Sequence, residues 1–167
     1  VPDRDLLAPA YPDDDGSADA ALTAALTAHA ADRMLLPQAL GALQDARLLV
    51  PVVAVADEVE VDEQGLAREK SSDMAAVLVQ GPGGRRGLLA FTATTTMAAW
   101  DPAARPVPVP ARTAALAAVQ DGADALLVDL AGPASLVVEG DHLRALAAGW
   151  RLVRIGDDHG WVEPTPS

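Results

Sequence analysis

Lysine, serine and aspartate stand together in Lys70-Ser71-Ser72-Asp73, and four threonines follow the chain's one phenylalanine in Phe91-Thr92-Ala93-Thr94-Thr95-Thr96. A lysine ammonium among hydroxyls can hold a carboxylate or phosphate, helped by free amides where a helix begins. The two stretches flank a pair of apolar runs, Met74–Gln80 and Gly87–Phe91, joined by a glycine-rich turn ending in Arg85-Arg86. Paired as an antiparallel hairpin, these runs set the start of the first beside the end of the second. Lys70, Ser72 and Asp73 are then expected beside Phe91, Thr92, Thr94 and Thr95, with a small anion or metabolite as the ligand class. A plainer reading competes: Ser72 and Asp73 satisfy strand-end amides, a threonine caps the next helix, and Lys70 pairs with an acid. A lysine–serine pair also suggests hydrolysis, but no third group, nucleophile elbow or oxyanion site accompanies it.

Other reactive residues are more scattered. The turn Gly81–Gly87 lacks the Gly-Lys-Ser/Thr ending of a phosphate loop, so Arg85 and Arg86 read as a solvated hairpin tip. His29, His142 and His159 show no ligand spacing, and Asp157-Asp158-His159 with Glu163 lacks the alternation of a calcium loop. No metal or cofactor is expected. Asp129 sits on an apolar strand and, turned inward, needs a partner. Trp100 precedes the proline-rich stretch Ala104–Arg112 and is expected to pack on its own chain's prolines, with a binding hot spot as the competing role.

The elements that position these residues follow from periodicity. Val1–Ser17 reads as a surface arm, with Ser17 or Asp19 capping a helix over Ala20–Leu36, where Leu22, Leu26, Ala30 and Met34 share a face. A short helix over Gln38–Gln44 precedes a buried strand, Leu48–Val55, in which Pro51 implies an edge, bulge or interruption. Asp57–Glu69 is an acidic, solvent-exposed excursion. Thr94–Trp100 is a short helix. Pro106, Pro108 and Pro110 force an extended connector, expected to lack a regular ladder. A helix over Thr113–Asp121, strands Ala125–Leu130 and Ser135–Glu139, a helix capped by Asp141, and a hairpin around Gly156–Gly160 complete the order. Trp150 and Trp161 flank that hairpin and cover one end of the core. Residues 164–167 are expected to fray.

Bulk properties narrow the partners. The net charge of -12 opposes binding to a phosphate backbone, so nucleic acid is not expected. No apolar run reaches the ~20 residues of a membrane helix, and no leader is read at the start. The chain has no cysteine, which removes thiol chemistry and fits a reducing compartment, so the expected location is the cytoplasm.

Laid out in order, Lys70-Ser71-Ser72-Asp73-Met74, Phe91-Thr92, Trp100, Arg105-Pro106-Val107-Pro108 and Glu139-Gly140 resemble the SseB N-terminal-domain family, in the single-domain form of high-GC Gram-positive bacteria. The resemblance runs from about Leu6 to Leu146. It implies a small α+β module and carries over no catalytic residue.

The expected fold is therefore α+β, a single domain with a mixed or mainly antiparallel sheet of about five strands and packed helices. The expected function is a non-enzymatic module that binds a protein or peptide, with a homodimer as one form. Strand addition at the Val107–Arg112 edge is one contact mode. The alternative is ligand binding, or an unrecognised enzyme, at the Lys70/Thr92 corner.

Overall fold

The computed structural model describes residues 11–55, 60–61, 67–68 and 73–166. The first part of the expected arm, most of the acidic excursion, Lys70, Ser72 and the last residue lie outside them. The helices are α1 (Ala20–Ala31), α2 (Leu36–Leu43), α3 (Thr94–Trp100), α4 (Ala111–Gln120) and α5 (Gly140–Ala148). The strands are β1 (Arg47–Val55), β2 (Glu60–Val61), β3 (Ala67–Arg68), β4 (Asp73–Ala76), β5 (Leu78–Gln80), β6 (Arg86–Ala90), β7 (Arg105–Pro110), β8 (Ala125–Val128), β9 (Leu136–Glu139), β10 (Arg151–Ile155) and β11 (Asp158–Val162).

The fold is α+β with a mixed sheet system, as expected. Its strands divide into a three-stranded sheet, β4-β1-β7, a four-stranded sheet, β5-β6-β8-β9, and two small hairpins, β2-β3 and β10-β11. In the four-stranded sheet β6 and β8 are parallel and the outer pairs antiparallel. Leu88, Ala90, Leu126, Val128, Leu136 and Val138 face the main core, meeting the alanines of α4, the leucines of α5, and Leu22, Leu26, Leu40 and Leu43. Small side chains on α4 let its backbone come close to the sheet. On the opposite face Leu89 and Phe91 pack with Leu49 and Met97, and the Trp100 ring stacks on Phe91 at 5.7 Å between centroids. Trp100 thus packs internally, against the phenylalanine ring.

The expected hairpin Met74–Gln80/Gly87–Phe91 is only partly formed. The first run breaks at Val77, so β5 pairs with β6 while β4 leaves to pair with β1. Phe91 instead exchanges backbone hydrogen bonds with Leu49, at 2.7 and 2.8 Å. Antiparallel parity then points the backbone polar groups of residues 49, 51 and 53 the same way. Pro51, which has no N–H, falls where β1 changes partner from Phe91 to β4. β1 itself runs unbroken and central through Pro51, so the missing donor marks this change of partner and not the edge, bulge or interruption that the sequence implied.

The proline connector corrects another expectation, because it forms a regular ladder. β7 pairs with β1 from Arg47↔Pro110 to Val52↔Arg105. The prolines recur every second residue, so all three turn their nitrogens away from β1, and Arg105, Val107 and Val109 supply the donors. The outer edge of β7 therefore presents carbonyls at Pro106, Pro108 and Pro110 and no N–H. Strand addition there would find no donors.

Helix ends also differ from expectation. Asp19 caps α1 by accepting from the Leu22 amide, but the helix stops at Asp32. The residue before α3 is Ala93. Thr96 works from inside the first turn, accepting from the Ala93 N–H and donating to its carbonyl. Asp141 lies within α5 rather than at its cap and pairs with Arg144.

Candidate functional site

The threonine corner is built at the carboxyl ends of the parallel strands β6 and β8. After β6 the chain turns at Thr92. After β8 it turns at Asp129, whose φ of 55° lies in the left-handed region that aspartate tolerates better than most residues. The Asp129 amide donates to the Ala90 carbonyl at 3.0 Å, and its carbonyl accepts from Gly132 at 2.9 Å. Its carboxylate accepts the Thr92 amide at 2.8 Å and the Thr92 hydroxyl at 2.6 Å. Both residues are buried. The inward aspartate thus has its partner in Thr92, the residue following the chain's one phenylalanine. It was not among the expected site residues; its signal was an acid closing an apolar strand.

The arm folds over this corner. Gly16, with φ of 80°, accepts from the Thr94 amide at 2.8 Å. Arg47 at the start of β1 clamps three partners: the Thr92 carbonyl at 2.8 Å, the Ser17 carbonyl at 2.7 Å and the Asp14 carboxylate at 2.6 Å. Its charge is thereby matched by Asp14 beside the corner.

Between arm, α1 and corner lies a cavity of about 440 Å³, walled by Asp15–Ala18, Thr23, Leu26, Thr27, Thr92–Thr96, Asp129 and Gly132–Ala134. The Ser17 hydroxyl and amide hold the Asp15 carboxyl below the usual carboxylate range. The lining thus carries two carboxylates, Asp15 and Asp129, and no lysine or arginine among the described residues.

Thr92, Thr94 and Thr95 all line this cavity, while Phe91 and Trp100 lie in the apolar cluster on the other face of the sheet. Asp73 is not brought to Thr92. It pairs with Val55, six residues along β1 from Leu49, which bridges Phe91, a separation of roughly 20 Å along the strand. The expected approach of Asp73 to Thr92 depended on an unbroken hairpin, and the break at Val77 removes it. Lys70 and Ser72 lie outside the described residues.

A second surface lies on the four-stranded sheet, on the face turned away from α4 and α5. Leu127 and Val79 are half-buried there, and Leu130 and Val137 are 46% and 47% exposed. They border a shallow groove of about 370 Å³. Gly87 lies under it, where a Cβ would meet Leu127 Cδ1 at 2.5 Å. Arg85 and Arg86 are exposed at the hairpin tip, as expected, and each has a partner. Arg85 pairs with Glu139 of β9, and Arg86 donates to the Gly122 carbonyl at 3.1 Å behind α4. The C-terminal hairpin is tied down separately, by Trp161 donating to His142 Nδ1 at 2.9 Å and by Arg151 pairing with Asp45.

Among the described residues no group of three or more His, Asp or Glu side chains is arranged to hold a metal ion, and no helix is long and apolar enough to cross a membrane. These features define an α+β module with a mixed sheet system, a polar cavity at one strand end and an apolar sheet face that the described helices leave partly exposed. The chain belongs to the SseB family: the model of the SseB protein N-terminal domain matches residues 22–145, well over half its length. Comparison with curated proteins and with solved structures found no match.

Proposed function

We propose that this chain is a cytosolic, non-enzymatic module that docks another protein on the uncovered face of the β5-β6-β8-β9 sheet. The observation that carries the reading is the exposure of Val137 and Leu130 beside Val79 and Leu127. On this face α3 covers only the part around Leu89 and Phe91. A contiguous apolar patch rimmed by charge marks an interaction surface. The rim here is Arg85, Arg86 and Glu139. Two copies each carrying a net charge of -12 repel, which favours a neutral or basic partner over a homodimer.

The test is capture from native lysate with the intact chain and with the double variant Leu130→Asp/Val137→Asp. Both positions are exposed, so the fold should persist, which circular dichroism checks. Loss of captured proteins in the variant is the expected result. An unchanged set of captured proteins sinks the reading. Light scattering on the purified chain reads the homodimer directly, as a doubled mass that the double variant abolishes.

A further inference from the structure

We infer that the cavity at the threonine corner binds a small molecule through a primary amine in its charged ammonium form. This site is independent of the sheet face, and the directions of the donors in the cavity wall point to its ligand. A hydroxyl has one O–H to give and two lone pairs to offer. Thr92 gives its O–H to Asp129, Thr94 to the Gly16 carbonyl and Thr96 to the Ala93 carbonyl. Thr23 and Thr27 give theirs back along α1, to Asp19 and Thr23, and Ser17 gives its own to Asp15. Six lining hydroxyls thus keep acceptor capacity after donating within the protein.

The charges point the same way. Asp15 and Asp129 line the space, the nearest described cation is Arg47, and Arg47 is held by Asp14 and two carbonyls. Each Asp129 oxygen accepts one hydrogen bond from Thr92, although a carboxylate offers about four acceptor positions. An ammonium group supplies three donors and a positive charge to such a wall. A phosphate or carboxylate would meet like charge at Asp15 and Asp129. Leu26, Pro133 and Ala134 supply apolar lining for the carbon body of the ligand. The size suits a small molecule, and the place, outside the carboxyl ends of adjacent parallel strands, is where open sheets generally bind ligands. The left-handed Asp129 backbone is a local cost sustained at that place.

The experiment is a titration of the isotopically labelled full chain, following amide resonances with ethanolamine, putrescine, erythritol and inorganic phosphate as separate probes. The amines are expected to shift Thr92, Thr95 and Gly132 at millimolar concentrations, leaving Val137 on the sheet face unmoved. Asp129→Asn should weaken amine binding about tenfold or more, the loss expected for a hydrogen bond to an ionised group. Asp15→Asn, at an exposed position, keeps the test valid if the buried variant unfolds, and should weaken binding several-fold. Three results would each overturn the proposal: phosphate or erythritol shifting these amides as strongly as the amines, no amine shifting them, or unchanged amine affinity in every folded variant.

Discussion

Thr92 donates both its amide and its hydroxyl to the carboxylate of Asp129, joining the ends of two parallel strands through one buried pair. Removing one donor leaves part of a buried carboxylate unsatisfied, which costs about 1–3 kcal/mol or more. Thr92→Val should therefore lower the unfolding free energy by at least that amount, and Thr92→Ser should recover most of it. Urea denaturation of the three proteins decides the point; equal midpoints for Val and Thr would show that the hydroxyl contributes nothing.

Gly16 holds the arm against the corner with a φ of 80°, and a Cβ there would stand 2.6 Å from Thr94 Cγ2. Gly16→Ala should release the arm locally while the core persists. Hydrogen exchange at the Thr94 amide, which donates to Gly16, should accelerate more than exchange at Leu88 or Leu126.

Gly87→Ala places a methyl 2.5 Å from Leu127 Cδ1 on the uncovered sheet face. Leu127 must move, and overpacking of this kind costs about 1–3 kcal/mol. The thermal midpoint should fall, and the double variant Gly87→Ala/Leu127→Ala should regain part of the loss.

The prolines of β7 leave its outer edge without donors. Pro108→Val restores one outward N–H on an exposed edge, so it should raise self-association by edge pairing while β7 stays paired to β1. Light scattering against protein concentration measures this, and a variant as monodisperse as the parent would contradict it.

Arg151 holds the Asp45 carboxyl below its ordinary value of 3.8. The pair's stabilisation is then fully present above that value and is lost as pH falls through the lowered folded value. The side chains are 65% and 50% exposed, so solvent screening limits the contribution to below about 1 kcal/mol. Asp45→Asn should lose that amount near neutrality and converge with the parent in strong acid, as read from unfolding free energy against pH.

Much of the architecture was legible because it is written in local patterns. Asp19 before Leu22 and Leu26 announces a capped helix, and Gly156 marks the final hairpin turn. Apolar Ala125–Val128 and alternating Leu136–Glu139 read as strands. Pro51 announced a missing donor in its strand, yet β1 runs unbroken through it because only one side of the strand, where the partner changes, lacks the N–H. The alternation of Pro106, Pro108 and Pro110 was equally visible, yet only a partner on one side turns three missing donors into an outward edge.

The chain by itself determined which segments are helical or extended and that Asp129, if buried, must be satisfied, since periodicity and desolvation act on residues wherever they lie. Tertiary structure alone decided where the strand from Asp73 goes. Its two halves can each pair with an apolar strand, and the break at Val77 sends one to β1 and the other to β6. That choice separates Asp73 from Thr92 and leaves Thr92 facing Asp129, 37 residues later. It also fixes where the threonine hydroxyls of the corner point, because the direction of a hydroxyl's single proton is set by its neighbours in space.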